Sequence, residues 1–292
     1  MSFQGVGEEA LEWLKEVKEE LHIPVATEVA TPEHIEKALA AGIDYLWIGA
    51  RTSANPIAVE AISHQLSAIR NLNTESSKLK ALLIKNPVNA DAALWLGNIE
   101  RLEKTGVPVA AIHRGCNHQP CWAMAHKVRT ARPDIPMLLD PSHMSGEAEQ
   151  VPALLDKIAD LGLDGAMVEV HCCPEKALSD AKQQVKPSAI SHQLSEKPNI
   201  ESSKQNAIEL NWLRAEIDEL DDRLWDTIAQ RMDVSRRIGE WKKVHHIAPL
   251  QPERFQQILS ARQQWAKQNG LGTDFVAQVM EAIHNESLKR QK

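Results

Sequence analysis

No apolar run in the 292 residues approaches the ~20 needed to cross a bilayer, so the sequence holds no helical membrane span. Cysteine is scarce: Cys116, Cys121, Cys172 and Cys173 form two tight pairs. A disulfide framework for a chain of this size would be spread more widely, and reduced thiols are expected. Cationic excess is lacking too, with 33 Lys and Arg against 40 Asp and Glu and a formal net charge of −7. The basic residues are dispersed singly along helices, which argues against nucleic acid as a partner. The opening MSFQGVGEEA has neither a basic n-region nor an apolar h-region, so no secretory signal is read and the cytoplasm is the expected location. Small molecules and further copies of the chain are the expected partners.

What is present is a regular alternation. Six apolar runs, PVATE, LWIGAR, LLIKNP, VAAIHRG, MLLDPSH and AMVEVH, each end in a charged or metal-competent residue. Between them lie amphipathic segments such as Glu8–Leu21, Pro32–Ala41, Asp91–Lys104, Trp122–Ala131 and Glu147–Leu161. Alternation of this kind predicts right-handed βαβ units and a parallel sheet over residues 1–186. In an α/β barrel only the C-terminal strand ends meet substrate, so polar residues recurring there mark an active-site rim. Six strands are two fewer than a closed barrel of this type has, so the expected fold class is α/β with an incomplete (β/α)8 barrel.

Residues 187–205 are rich in Ser, Pro, Lys and Asn and read as a linker, with a second, all-α domain over 206–292. From Asn206 to His245 there is no proline, and Leu213, Ile217, Leu220, Leu224, Ile228 and Met232 recur at three- and four-residue steps. That predicts one amphipathic helix about 60 Å long. Pro249 and Pro252 end it, and Glu253–Gln268 and Thr273–Lys289 read as two more helices. The long helix leaves an apolar stripe that its own unit cannot cover, which implies a homodimer. The heptapeptide AISHQLS occurs at Ala61–Ser67 and again at Ala189–Ser195, each copy followed by N-x-E-S-S-K; it reads as a polar insert in connecting segments.

His143 in DPSH and Glu169 in VEVH at strand ends, with Asp180 in ALSDAKQ in the loop after the last strand, combine an imidazole with two carboxylates. This donor set suits a divalent ion of the Mn, Fe, Co or Zn type. Arg51, Lys85 and Arg114 follow three other strands. Three cations converging on one barrel mouth require an anion, so a phosphate or carboxylate substrate is implied. Cys116 and Cys121 resemble half of a zinc site, and Cys172 and Cys173 lie near the last strand end; buried or incidental thiols are the simpler reading for all four.

The elements ATEV, IGARTSANP, LIKNPV, IHRG, DPSH and E-V-H followed by L-S-D-A-K-Q resemble the type I β 3-deoxy-D-arabino-heptulosonate 7-phosphate (DAHP) synthases over roughly residues 2–186. The resemblance implies condensation of phosphoenolpyruvate with erythrose 4-phosphate. It makes His143, Glu169 and Asp180 metal ligands, has Arg51, Lys85 and Arg114 hold phosphoenolpyruvate, and gives Glu28 and His113 supporting roles. The family's G-P-C-S and K-P-R-T motifs are not found in the chain, which is therefore read as N-terminally incomplete, lacking the first two barrel strands. Little or no DAHP formation is expected of it in that form.

The segment WLRAEIDELDDRLWDTIAQRMDVSRRIGEWKK with HNESLKRQ resembles the all-helical chorismate mutases over residues 207–291. By that resemblance Arg214, Arg231, Lys242, Ser287 and Gln291 line a chorismate/prephenate site, joined by Gln251 and Arg254, and no cofactor is needed. Arg231 and Lys242 are eleven residues apart, three helical turns, and share a face, as do Ser287 and Gln291. Arg214 points about a quarter turn away and is better placed to reach a partner's site. Gln251 and Phe255 stand where better-known members carry acids. Three readings stay open: a bifunctional synthase–mutase of aromatic amino-acid biosynthesis, a mutase attached to an inactive barrel, and a prephenate-sensing helical module.

Overall fold

The computed structural model describes residues 6–71, 79–195 and 205–291. The chain divides into two compact units, Met1–Glu216 and Ile217–Lys292.

In the first unit the elements run α1 (Glu9–Leu21), β1 (Ala26–Glu28), α2 (Pro32–Ala40), β2 (Tyr45–Ile48), α3 (Ala50–Ser53), α4 (Pro56–Asn71), β3 (Ala81–Lys85) and α5 (Ala92–Glu103). They continue with β4 (Val109–His113), α6 (Trp122–Ala131), β5 (Met137–Leu139), α7 (Pro141–Ser145), α8 (Val151–Leu161), β6 (Gly165–Ala166) and α9 (Pro187–Ser195). The six strands form one sheet in the order β1-β2-β3-β4-β5-β6, every neighbouring pair parallel. The expected strand count and α/β alternation are therefore found. Alternate strand residues, Leu46 and Ile48 on β2 and Leu82 and Ile84 on β3, are fully buried against Ile35 of α2, Ile62 and Leu66 of α4, and Ile99 and Leu102 of α5. Each such side chain contributes about 1.5–3 kcal/mol by leaving water, so the core fixes which strand ends share a rim.

Three expectations differ from the structure. The first AISHQLS copy is not a polar insert: it is the middle of α4, where Ile62 and Leu66, four residues apart, reach the core. The second lies in α9, so the segment read as a linker is helical over Pro187–Ser195, and Ile190 packs with Val151, Leu155 and Val185. The N-x-E-S-S-K copies and the rest of the expected linker lie outside the described residues. The run AMVEVH is strand only to Ala166. Beyond it the Glu169 N–H donates to Ser142 Oγ (3.0 Å), and Val170 bridges Val185, so the ladder to β5 ends there.

Helix α10 (Gln205–Val244) continues through the expected boundary at 205/206, and the compact units divide twelve residues into it, at 216/217. Its opening turns belong to the first unit. Trp212 (2% exposed) and Ala215 enter that unit's core, and Asn211 donates to Asp160 O at 3.0 Å.

The second unit holds the rest of α10 with α11 (Pro252–Gln268) and α12 (Thr273–Arg290). These bounds lie within one residue of the predicted helices. Along α10 the side chains of Ile217, Leu220, Leu224, Trp225, Ile238 and Trp241 are exposed. No described helix is long and apolar enough to cross a membrane.

Candidate functional site

In the first unit the rim residues are organised by Asp140, which follows β5 and caps α7; its Oδ1 accepts the His143 N–H at 3.1 Å. Asp140 is fully buried, and its Oδ2 lies 2.7 Å from Lys85 Nζ and 2.9 Å from His143 Nδ1. Lys85, at the end of β3, is 3% exposed, and its ammonium sits 4.6 Å from the centroid of the Trp47 ring on β2. Burial pushes the Asp140 carboxyl upward, but the His143 hydrogen bond and the Lys85 charge outweigh it and hold the group at about 2. It is ionised at neutral pH.

With Nδ1 committed to Asp140, His143 turns Nε2 toward Glu169, whose Oε1 is 3.5 Å away. Glu169 is steadied in turn: its Oε2 accepts from Gln183 Nε2 at 2.8 Å and Gln184 Nε2 at 3.2 Å. Asp180 completes the group, with one donor atom from each of His143, Glu169 and Asp180 lying within 4.8 Å of one another. One imidazole nitrogen and two carboxylates, the imidazole oriented by a buried carboxylate, fit a divalent ion. The four cysteines are free thiols and are not part of this group.

Arg114 follows β4, and its backbone N–H is held by the fully buried Asn86 (2.8 Å to Oδ1). Its Nη1 is buried and has no hydrogen-bond partner among the described residues, which leaves a cationic donor for an anion. Arg51, in the first turn of α3, lines a cavity of about 340 Å³ with Ala30, Thr52, Asn55 and Ala58. The Glu28 carboxylate lies over Gly49, where any Cβ would collide with it. His113 is fully buried between Trp95 and Trp122 and donates Nε2–H to Pro120 O at 2.7 Å. Burial lowers it to about 4, so it is neutral and belongs to the packing beneath the rim.

The second unit carries a separate cluster. Arg231 on α10 donates to Ser287 Oγ on α12 at 2.5 Å. Lys242, three turns on, is 9% exposed and donates to Pro249 O at 2.8 Å and Gln291 Oε1 at 3.2 Å. Gln291 comes this close because α10 has Gly239 opposite, where a Cβ would overlap its Cα. Burial lowers the Arg231 guanidinium, the direction expected of a cation with little counter-charge. His284 on α12 stacks on Phe255 of α11 with ring centroids 4.0 Å apart and planes at 21°. Its imidazole is lowered by burial and then by the charges of Arg231 and Lys242.

Of the residues predicted for this second site, Arg231, Lys242, Ser287 and Gln291 are brought together. Gln251 and Arg254 are exposed at the start of α11, and Arg214 is exposed on the opening turns of α10, within the first unit. Sequence reasoning missed Asp140, Asn86 and His284. Each lay inside a motif already quoted, Asp140 in D-P-S-H, Asn86 in LIKNPV and His284 in HNESLKRQ, but none had been given a role.

Residues 1–203 match the model of the DAHP synthetase I family, and residues 213–292 that of chorismate mutase type II. Phospho-2-dehydro-3-deoxyheptonate aldolase of Thermotoga maritima is 32% identical over 192 residues, covering 62% of this chain and 52% of that protein. A 4-amino-4-deoxychorismate mutase of Streptomyces venezuelae is 35% identical over 78 residues, 27% of this chain and 76% of that protein. A 4-amino-4-deoxychorismate mutase of Streptomyces pristinaespiralis is 31% identical over 80 residues, 27% of this chain and 62% of that protein. A crystal structure of the Thermotoga maritima aldolase, a DAHP synthase, superposes with a TM-score of 0.56 at 26% identity, over 72% of this chain and 58% of that one. The chain thus spans about half the length of the Thermotoga relative it matches.

Proposed function

The chain belongs to the DAHP synthetase I family and carries a chorismate mutase type II domain; from that premise we propose that it joins two activities of aromatic amino-acid biosynthesis in the cytoplasm. The first is condensation of phosphoenolpyruvate with erythrose 4-phosphate, and the second is conversion of chorismate to prephenate.

In the synthase half, Lys85, Arg114 and Arg51 hold the phosphate and carboxylate of phosphoenolpyruvate. The observation that carries this is the buried Nη1 of Arg114, without a hydrogen-bond partner among the described residues, on the same rim as Lys85. Asp140 fixes the Lys85 ammonium and the His143 ring, so substrate and ligands meet a site arranged in advance. His143, Glu169 and Asp180 would hold a divalent ion of the Mn, Fe, Co or Zn type, which supplies polarisation of the aldehyde oxygen when bound.

In the mutase half, the rearrangement is unimolecular and needs positioning and charge alone. Arg231 and the partner copy's Arg214 clamp the two carboxylates. Lys242 and Gln291 donate to the ether oxygen as it gains negative charge; the Gln291 Oε1 already accepts from Lys242, which leaves its amide N–H groups free to donate elsewhere. Gln251 and Arg254 border the entrance from α11. The exposed apolar side chains of α10 support a homodimer formed through the helical unit.

Both halves are tested on one preparation by following consumption of phosphoenolpyruvate, with and without Mn²⁺ and a chelator, and of chorismate. Metal-dependent loss of phosphoenolpyruvate, against the expectation from the strand count alone, together with chorismate turnover that Lys242→Ala abolishes is the result this reading predicts. Chorismate turnover with no phosphoenolpyruvate consumption would leave a mutase on an inactive barrel.

A further inference from the structure

Chorismate presents four polar groups to a binding site: two carboxylates, the ether oxygen and a ring hydroxyl. On the reading above, Arg231 and a partner's Arg214 take the carboxylates, while Lys242 and Gln291 take the ether oxygen. Ser287 is already committed, accepting from Arg231 and donating to Ile283 O at 2.8 Å. The ring hydroxyl has no assigned partner, and the α11 side chain stacked on His284 is Phe255, which can accept no strong hydrogen bond. One polar side chain of the cluster is equally unassigned: His284, one turn before Ser287 on α12.

We propose that His284 is a substrate-contacting residue of the mutase site and accepts a hydrogen bond from the ring hydroxyl of chorismate. The inference rests on the mutase reading and deepens it by naming the group that recognises the ring. Phe255 then has a use: stacked at 4.0 Å and 21°, it fixes the plane of the imidazole and leaves the ring edge, where the nitrogens lie, as the polar surface. The charges facing His284 are Arg231 and Lys242 on α10, and its neighbour on α11 is Phe255. Two cations and partial burial favour the neutral ring, which is the form able to accept. A substituent that donates, whether hydroxyl or amine, suits this acceptor; a methyl ether does not.

The test uses the full chain with chorismate, measuring kcat and KM between about pH 5 and 8 for the wild type, His284→Leu and His284→Gln. Loss of one hydrogen bond predicts a KM about fivefold higher in His284→Leu with kcat little changed. His284→Gln keeps an acceptor and is expected to recover most of that loss. In the wild type, kcat/KM falls as pH drops through the lowered His284 titration, because protonation removes the acceptor. Both variants are expected to lack that acid limb. Wild-type turnover with an unaltered KM and acid limb in His284→Leu would overturn this inference and leave the mutase reading intact. Absence of chorismate turnover in the wild type would overturn both. If His284→Leu does not fold, the His284→Gln pH profile decides alone: an acid limb like that of the wild type overturns the assignment.

Discussion

Asp140 shows how much one buried carboxylate decides in this protein. It faces a lysine ammonium and an imidazole at 2.7 and 2.9 Å with no exposure to solvent. Asp140→Asn keeps the shape of the side chain but removes the charge that orients His143. Loss of such support typically lowers metal affinity about 10- to 100-fold, and competition with a chromophoric chelator for Mn²⁺ or Zn²⁺ would measure it. Affinity equal to that of the wild type would remove Asp140 from any supporting role. The same substitution leaves Lys85 as a buried ammonium without its counter-charge, so lower stability is expected alongside weaker binding. His143, Glu169, Lys85 and Arg114 were legible from their places after apolar runs, and Asp180 from the ALSDAKQ motif in the loop beyond the last strand. Asp140 was visible only as part of the same motif, because its role depends on a strand-end neighbour, Lys85, fifty-five residues away.

Among the elements, the opening of α10 is the most informative. Trp212 packs edge-on against Trp122 (6.0 Å, 72°) and parallel to His126 (5.4 Å, 6°), while the His126 nitrogens face Glu216 at 2.6 Å and Glu209 at 3.2 Å. These residues all lie in the first unit, so a helix read as belonging to the second domain begins as part of the first unit's core. Replacing Trp212 by Ala should lower the unfolding free energy by about 3–5 kcal/mol, read from urea denaturation, with Trp212→Phe costing less. A loss below about 1 kcal/mol would show the core tolerating its absence. The predicted helices of the barrel and the three long C-terminal helices were legible because their apolar period runs over two and a half turns or more. Helix α4 was not. Its heptapeptide carries a single i, i+4 apolar pair, Ile62 and Leu66, among serines and a glutamine. An identical heptapeptide in α9 has its Ile190 in a different cluster, so context and not local sequence assigns each its neighbours.

For the whole molecule, the proposed mutase site takes Arg231 from one chain and Arg214 from a second. A dimer therefore predicts complementation. Arg214→Ala and Arg231→Ala should each be nearly inactive, yet mixing them under exchange should restore up to roughly a quarter of wild-type turnover. Half of randomly assembled dimers are mixed, and each mixed dimer has one intact site. Failure to regain activity in a mixture that light scattering shows to be dimeric would place Arg214 outside the site.

Periodicity is local: the six strand runs, the amphipathic helices and the charged residues that punctuate strand ends are each written in residues at most a few positions apart. Folding decided what those residues face. The Lys85–Asp140–His143 chain, the buried Arg114 donor, the embedding of Trp212 and the His284–Phe255 stack are pairings between distant segments, set by which strands lie side by side and which helix faces are buried. No local pattern encodes a partner dozens of residues away; packing of the whole core does.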